Sequence, residues 1–436
     1  GAEERERTTL DRTVKFGRDA RTTSLHPRGQ DPSKGANIVA TAVIVDAVRT
    51  PGGKRNGKLS GWHPADPSAV VLNALVERND LDPGLVDDVI MGCVMQVGAQ
   101  SLNVGRNAVL AAGWPETVPS TSIDRQCGSS QQAAHFAAQG VIAGAYDIVV
   151  AAGVEVMSMV PMGASAMVAN VGFPFGPEMT ARYDKIGGIV PQGISAELIA
   201  EKWGLTREDL DTYSAESQRR AAQARDEGRF DNEIIPVQAK PIDKETGKLI
   251  ETDEIVSADE GIREGTTVET LANLKPAFKE DGVVTAGNSS QITDGASAVL
   301  IMSEEKANEL GLTPRARFHT FALAGVDPIT MLTGPIPATH KALERAGLTM
   351  DDIDLTEINE AFASVVLAWE KELHPDMSKV NVNGGAIALG HPLGCSGAKL
   401  MATLLNELER TGGRYGLQTM CEGGGQANVT IIERLG

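Results

Sequence analysis

The amino-acid sequence predicts an α/β fold in which two similar halves are interrupted by an inserted segment. Three observations lead to this prediction. Short apolar strands alternate with helical stretches, one order of elements occurs twice, and the alternation breaks between about residues 159 and 287. Such alternation is typical of α/β folds. The chain has 436 residues, which is enough for two or three domains of ordinary size.

The chain opens with a segment for which we expect no fixed structure. Residues 1–37 show no apolar period and predict a flexible extension. Because this segment has four acidic residues among its first eleven and no apolar run, it does not resemble a targeting signal, and we expect a cytoplasmic protein. The β-branched run Ile38–Val45 then predicts a strand covered on both faces, at which ordered structure begins.

The N-terminal half is predicted to span residues 38–158 and to be completed by residues 288–313. In it, stretches with helical periodicity alternate with short apolar runs, as expected for strands crossed by helices. The predicted helices are Pro67–Arg78, Gly105–Ala112 and Gly128–Gly144, and the predicted strands are Asp88–Met91 and Asp147–Ala151.

Residues 159–287 depart from this alternation and predict an inserted loop domain. The segment begins with an irregular part rich in Gly, Pro and Met, and continues into a long helical run, Ile194–Glu227. The alternation resumes after Gly295 and continues through the C-terminal half, residues 314–436. Its predicted elements are the strands Ala298–Met302, Arg315–Ala324 and Leu355–Ile358 and the helix Pro335–Ala346.

The two halves repeat the order strand, glycine turn, helix, strand. In the first half, Val118–Arg125 leads into the turn at Cys127 and Gly128, and the strand Ile148–Gly153 follows the helix. In the second half the corresponding elements are Val380–Asn383, a glycine-rich turn, the helix Ser396–Arg410 and the strand Leu417–Gly424. An internal duplication explains the repeat, although two unrelated βαβ units would give a similar pattern.

The composition excludes several classes of function. The chain has 40 Lys and Arg against 58 Asp and Glu, and its net charge of −18 repels nucleic acids and anionic membranes. Its most apolar stretch, Val141–Met157, contains two acidic residues and is shorter than the roughly 20 residues that a membrane span needs. Four cysteines without a C-x-x-C pair predict neither a disulfide framework nor a metal site, which leaves thiol chemistry in a reducing compartment.

Cys127 is the first candidate for such chemistry. It lies where an extended segment turns into a helix of small residues. A thiol at a helix N-terminus is close to the positive end of the helix dipole, which lowers the thiol pKa and favours the nucleophilic thiolate. The alternative for a single cysteine is a buried structural residue.

Two further residues have surroundings suited to catalysis. His391 is in a glycine-rich turn, where the backbone can approach a ligand closely and the imidazole can project into a cavity. Cys421 precedes three glycines, whose exposed N–H groups are suited to an oxyanion hole. Two cysteines and one histidine at comparable places in a duplicated fold indicate acyl transfer through a thiol.

The sequence resembles the thiolases, and among them the degradative 3-ketoacyl-CoA thiolases, from Ala42 to Leu435. The resemblance implies a duplicated thiolase fold in α/β/α/β/α layers with an inserted loop domain. It also implies a homodimer or homotetramer that uses coenzyme A as cosubstrate and no permanently bound cofactor. The matching motifs are Val45–Pro51, Cys127–Ser129, Thr285–Ser290, Asn359–Phe362, Gly390–Pro392 and Cys421–Gly425.

The resemblance also implies a role for each site residue. Cys127 would carry the acyl group, His391 would activate it as a base, and Cys421 would serve as the second acid and base. Asn359 and His391 would stabilise the substrate thioester oxygen, and the N–H groups of Cys127 and Gly423 would hold the acyl-enzyme carbonyl. The coenzyme A contacts implied in the same way are Arg263, Ser290 and Phe278.

One departure from the family pattern concerns the acyl pocket. Thiolases usually have a methionine where this chain has Gln192, and biosynthetic acetoacetyl-CoA thiolases tend to have a histidine where it has Pro191. The degradative class is therefore preferred over the biosynthetic one. Two further alternatives are a condensing enzyme, whose usual site has one cysteine and two histidines, and a non-catalytic carrier of acyl-CoA or sterol-CoA esters.

Overall fold

The computed structural model describes residues 39–436, so the extension predicted for residues 1–37 lies outside the described residues. Residues 40–436 form one unit. The strands of the described chain are β1 (Ala42–Arg49), β2 (Gly53–Lys54), β3 (Asp88–Gly92), β4 (Ser120–Ile123), β5 (Ile148–Val156), β6 (Val237–Gln238), β7 (Ile255–Val256), β8 (Thr293–Ser303), β9 (Ala316–Gly325), β10 (Leu355–Ile358), β11 (Tyr415–Glu422) and β12 (Gln426–Arg434). The helices are α1 (Ala65–Arg78), α2 (Val104–Ala111), α3 (Ser129–Ile142), α4 (Pro177–Asp184), α5 (Gln192–Lys202), α6 (Arg207–Asp226), α7 (Val268–Ala272), α8 (Glu304–Glu309), α9 (Pro335–Ala346), α10 (Ala363–Leu373), α11 (Ala386–Leu389) and α12 (Ser396–Thr411).

The strand order repeats in the two halves. Outward from the centre, the first half runs β1-β8-β5-β3-β4 and the second runs β9-β12-β11-β10. The halves meet where β1 pairs with β9, and β3 and β10 each pair in parallel with the strand on their inner side. This repeat supports the predicted duplicated α/β fold.

The second half lacks a full counterpart of β4. The strand predicted at Val380–Asn383 is wrong, because only Val380 pairs there, as an isolated parallel bridge to Thr356. Asn381 and Gly384 both have positive φ, and this left-handed backbone ends the extended conformation.

The helices α3 and α12 lie between strands of both halves. Their small and aliphatic side chains share one buried cluster with residues of β1, β3, β5 and β8 and of β9, β10 and β12. On the outer faces, α1 and α2 pack on the first half and α9 packs on the second. The chain thus forms the layered α/β/α/β/α arrangement that the sequence predicts.

Glycines let the backbones around α3 and α12 approach closely. A Cβ added to Gly397 of α12 would overlap the backbone N of Gln131 in α3, and one added to Gly153 of β5 would overlap the carbonyl O of Gly394. No side chain fits at these two positions unless the backbone moves.

The first strand begins and ends four residues later than Ile38–Val45, the range predicted for it. It extends to Arg49 because its charged residues are buried with partners supplied by distant parts of the chain. The Arg49 guanidinium pairs with Glu233 at 2.6 Å and with Asp259 at 2.7 Å. These charged side chains can be buried away from solvent because each of them contacts a side chain of opposite charge.

The long helix predicted at Ile194–Glu227 is two helices, α5 and α6. Gly204 has a φ of +60° and ends the first helix. Thr206 then caps the second, because its side chain accepts a hydrogen bond from the N–H of Asp209 and the Asp209 carboxylate accepts one from the N–H of Thr206.

The connection between β5 and β8 contains four helices, α4 to α7, and the small β6-β7 sheet. Its two ends are neighbours in the main sheet, because Val156 of β5 lies opposite Asp294 of β8. The domain boundaries at 158, 287 and 313 stay predictions. Among residues 39–436, no helix is long and apolar enough to cross a membrane.

We predict that Gly397→Ala lowers the free energy of unfolding by about 1–3 kcal/mol, because the added methyl group overpacks the contact between α12 and α3. Urea denaturation measures the change. Gly325→Ala is the control: Gly325 is exposed at the end of β9, and a Cβ there approaches other atoms only to 4.0 Å. It should change the stability by less than about 0.5 kcal/mol. Equal stability of the two variants would contradict the role given to this contact.

Candidate active site

A tight turn between β4 and α3 holds Cys127. Gln126 has a φ of +49°, which is uncommon for a residue with a side chain. Its conformation is fixed by hydrogen bonds, because the Gln126 N–H donates to Asp124 Oδ1 at 2.6 Å and the Gln126 carbonyl accepts from Ser129 Oγ at 2.6 Å. The turn places Cys127 just before the first residue of α3, with 5% of its surface exposed.

The expected depression of the Cys127 pKa by the helix dipole is wrong. Burial raises the pKa of the thiol to about 12, and the nearby carboxyl of Glu422 contributes in the same direction. Loss of hydration disfavours the thiolate more than the helix N-terminus favours it. Cys127 is therefore a neutral thiol at rest and needs a base to become a nucleophile.

His391 is suited to be that base. Gly390 before it has a φ of +83°, and the His391 N–H donates to Thr293 Oγ1 at 3.0 Å. In the ring, Nδ1 lies 2.5 Å from Ser396 Oγ, while the Ser396 hydroxyl itself donates to the Pro392 carbonyl at 2.8 Å. Ser396 must then accept from Nδ1, so these hydrogen bonds assign the ring proton to Nδ1 and make Nε2 the unprotonated, accepting nitrogen.

Burial keeps the imidazole neutral. It lowers the pKa of His391 to about 3, and the nearby Lys399 ammonium contributes to the shift. The unprotonated Nε2 accepts a long hydrogen bond of 3.4 Å from Asn359 Nδ2. Asn359 is buried after β10 and does not begin the next helix, because α10 starts at Ala363. Asn359 is therefore not a helix cap, although asparagine is a residue type that often begins helices.

Two buried charged residues that the sequence did not single out hold these turns. Lys399 of α12 donates to the carbonyls of Leu389 and Gly390 at 2.8 and 3.1 Å, directly before His391. Glu155 of β5 accepts from the N–H groups of Val94, Met95 and Gly394. The sequence did contain an indication for Glu155, because it is one carboxylate in an otherwise apolar strand. A charge buried in such a strand needs partners, and this predicts a structural role.

Cys421 lies on β11, beneath the apolar side chains of Phe362 and Ile387, and is 1% exposed. Burial raises its pKa well above the usual range, and the proximity of Cys127 adds to the shift. Gly423 follows in the turn to β12 and packs on the nucleophile turn, because a Cβ there would be 2.8 Å from Gln126 Oε1. The turn that holds Cys127 and the turn that follows Cys421 are thus neighbours.

A cavity of about 540 Å³ opens onto the nucleophile and the base. Cys127 and His391 line it together with the three residues expected to contact coenzyme A, Arg263, Ser290 and Phe278. Cys421, Asn359 and Gly423 are buried and are not part of this lining. Of the eight site residues predicted from the sequence, five line this cavity and three lie outside its lining.

The cavity has a cationic, exposed mouth and an apolar interior. Lys54 and Arg55, which the sequence did not single out, line it beside Arg263, and all three side chains are exposed. Gln192, the first residue of α5, faces the same space as Met157 and Met162. This arrangement gives a strongly acidic chain a local site for an anionic ligand with an apolar group.

Known families match nearly all of the described chain. The thiolase N-terminal domain matches residues 42–305, and the thiolase C-terminal domain matches residues 312–434. The chain belongs to the thiolase family. Thiolases are acyltransferases, and the predicted family, fold class and enzyme class are thereby confirmed.

Relatives of this thiolase include degradative enzymes. The steroid 3-ketoacyl-CoA thiolase FadA6 of Mycobacterium tuberculosis is 52% identical over 402 residues, which are 91% of this chain and 95% of that protein. A 3-ketoacyl-CoA thiolase of Aliivibrio fischeri is 46% identical over 398 residues, or 90% of this chain and 99% of the relative.

Solved structures show the same fold. The human mitochondrial 3-ketoacyl-CoA thiolase is 37% identical with a TM-score of 0.82, and the acetyl-CoA acetyltransferase of Bacillus anthracis is 41% identical with a TM-score of 0.81. Each comparison covers 92% of this thiolase and 100% of the solved chain.

We predict that Lys399→Met lowers turnover by about 10- to 100-fold, because the turn before His391 loses two hydrogen bonds and a small displacement of a base is costly. It should also raise the pKa of His391, since a neighbouring cation is removed. Steady-state kinetics and NMR titration of labelled histidine measure the two effects. Lys371→Met, on the exposed face of α10, is the control. An unchanged rate together with an unchanged His391 titration would contradict this role.

Proposed function

We propose that this thiolase degrades 3-ketoacyl-CoA esters, using coenzyme A to release acetyl-CoA and an acyl-CoA two carbons shorter. The observation that carries the proposal is that a cysteine and a neutral histidine with an unprotonated Nε2 line one cavity with a cationic mouth. The relatives named as 3-ketoacyl-CoA thiolases support the degradative direction.

In the first half-reaction, His391 Nε2 takes the proton of the Cys127 thiol, and the sulfur attacks the 3-keto carbon. The bond between C2 and C3 then breaks and leaves the acyl group on Cys127 as a thioester. The electron pair goes to C2 of the departing acetyl-CoA, and the Cys421 thiol protonates it. Protonated His391 and Asn359 stabilise the negative charge that collects on the thioester oxygen.

In the second half-reaction, the Cys421 thiolate removes the proton of the incoming coenzyme A thiol. The coenzyme A sulfur attacks the acyl-enzyme, whose carbonyl oxygen is held by the N–H groups of Cys127 and Gly423. Cys127 leaves and takes its proton back from His391, which restores the resting state. Each buried thiol is neutral before and after the cycle.

The residues at the cavity mouth are proposed to bind coenzyme A. Arg263, Lys54 and Arg55 supply the positive charge that its phosphates need, and Ser290 and Phe278 line the path of its arm. Phe278 is fixed for this role, because its ring contacts Phe362 edge-on with centroids 6.0 Å apart.

The setting of the enzyme is also a proposal. All four cysteines are free and buried, which supports a reducing compartment such as the cytoplasm. We propose a homodimer or homotetramer, and a division into a loop domain at 159–287 and two thiolase halves at 38–158 with 288–313 and at 314–436.

Acetoacetyl-CoA synthesis is the second candidate function. The similarity to the Bacillus anthracis acetyl-CoA acetyltransferase is the observation that favours it. The pocket residue Gln192 and the FadA6 relative favour substrates larger than acetoacetyl-CoA, either fatty acyl or derived from sterol side chains.

We predict that Cys127→Ala and Cys421→Ala fail at different steps. Cys127→Ala should give no acyl-enzyme with a 3-ketoacyl-CoA, since the nucleophile is gone. Cys421→Ala should slow turnover by about 10²–10⁴-fold yet still acylate Cys127 slowly from an acyl-CoA, since only an acid and base is lost. Intact-protein mass spectrometry and a thiolysis assay distinguish the two. Cys93→Ala is the matched control: this buried thiol is outside the cavity lining, so its variant should form the acyl-enzyme. An adduct on Cys127→Ala, or full thiolysis by Cys421→Ala, would refute the assigned roles.

We predict that thiolysis efficiency rises from the four-carbon 3-ketoacyl-CoA toward larger substrates. Each added methylene that is buried contributes about 0.8 kcal/mol, which is about fourfold in affinity, until the cavity is full. Gln192→Met should shift the preferred length, because this side chain lines the cavity. Rates over a panel of 3-ketoacyl-CoA esters test this, and efficiency that peaks at acetoacetyl-CoA would favour the biosynthetic class.

A further inference from the structure

Glu422 is a buried carboxyl behind the nucleophile that the mechanism above does not use. It is the last residue of β11, next to Cys421, and successive side chains of a strand point to opposite faces. Cys421 belongs to the buried cluster that contains Phe362 and Ile387, whereas the Glu422 carboxyl contacts the turn of Cys127: a Cβ added to Gly128 would overlap Glu422 Oε1. The carboxyl thus lies against the backbone that leads from Cys127 into α3.

The Glu422 carboxyl has no hydrogen-bond partner among residues 39–436. Its residue is 0% exposed, and both of its oxygens are unpaired within this part of the chain. An ionised carboxylate without partners is strongly disfavoured when buried, while the neutral acid is tolerated. Burial accordingly raises the pKa of Glu422 to about 8.

The groups that face Glu422 do not cancel this effect. From the turn between β4 and α3, Arg125 favours the carboxylate and Asp124 opposes it. Arg125 Nη1 donates to Gln426 of β12 at 3.1 Å, and Arg125 Nε has no hydrogen-bond partner within residues 39–436. From β12, Asn428 presents only a neutral amide, which donates to the Gly128 carbonyl at 3.0 Å.

The charge of Glu422 acts on both catalytic thiols. After burial itself, it is the largest influence that raises the pKa of Cys127, ahead of Glu155 and Asp124, and it also acts on Cys421. The Cys127 thiolate and the Glu422 carboxylate would be two like charges in one buried site. The two groups therefore disfavour each other's ionisation.

We propose that Glu422 is a positioning residue of the nucleophile: its protonated carboxyl permits the Cys127 thiolate, and its ionisation opposes that thiolate. The proposal rests on the proposed function only in taking Cys127 as the reacting thiol. Glu422 transfers no proton to the substrate, and its own proton is lost to solvent as the pH rises. The reactivity of Cys127 then stops increasing with pH where Glu422 ionises.

The test is the rate at which iodoacetamide alkylates Cys127 between pH 6.5 and 9.5, followed by mass spectrometry of the peptide. In the wild type the rate should rise about tenfold per pH unit and then flatten near pH 8. Glu422→Gln should keep the tenfold slope and react about 3- to 10-fold faster than the wild type at pH 9. The same bend in Glu422→Gln, or a constant slope in the wild type, would overturn the proposal.

Two further variants and one further measurement make the test specific. Glu422→Asp keeps an ionisable group and should keep a bend, whereas Asp294→Asn removes a different buried carboxyl, with a pKa of about 6, and should not affect the bend at pH 8.

The stability that neutral Glu422 contributes is complete below its ordinary pKa of 4.5 and is lost as the pH rises through about 8. Urea denaturation should show this loss in the wild type and not in Glu422→Gln.

Failure of this proposal is separable from failure of the proposed function. Alkylation measures the thiol whether or not the enzyme turns over 3-ketoacyl-CoA, so a bend at pH 8 without thiolysis would refute only the function. Thiolysis without a bend would refute only the role of Glu422. If Glu422→Gln does not fold, the wild-type profile alone decides, because a constant slope still overturns the proposal.

Discussion

The close contact between α3 and α12 determines the geometry on which the rest of the structure depends. Cys127 lies one residue before Gly128, the N-cap of α3, and His391 lies in the turn before α12, so the separation of nucleophile and base follows from how closely these helices pack. Gly397 and Gly153 permit that approach, because a side chain at either position would overlap backbone atoms. Small residues on α3 then let strands of both halves cover the pair. Catalytic geometry thus depends on core packing as well as on the two turns that present Cys127 and His391.

Burial explains the electrostatic state of the site. Both thiols and the imidazole have lost most of their hydration, which favours the neutral form of each. Proton transfer from Cys127 to His391 creates two opposite charges, and each favours the other in a medium of low polarity. The site therefore holds its thiols mainly in the neutral form at rest, which slows their oxidation and alkylation. A helix dipole at the surface would give a permanently ionised thiol, and this fold avoids that state.

Much of the fold and part of the site could be predicted from the sequence, for identifiable reasons. Apolar runs such as Leu355–Ile358 and periodic helices such as Pro335–Ala346 have local signals, and the structure places both at the predicted bounds. Arg49 has no such signal, because its burial depends on partners far away in the chain, such as Asp259. Lys399 has none because its burial depends on how the turn at Leu389 and Gly390 folds over it. Cys127 shows the same limit. Its place at the start of a helix could be predicted from the local sequence, whereas its pKa depends on everything packed around it.

The position of β8 has a consequence for how the chain is synthesised. This strand fills the gap between β1 and β5, yet it follows both in the sequence and is separated from β5 by the whole connection of residues 157–292. A ribosome therefore releases β1, β3, β4 and β5 long before their central partner exists. Until Ser303 emerges, the strand edges of β1 and β5 that β8 will cover stay open, and a chaperone would have to shield them from other nascent chains.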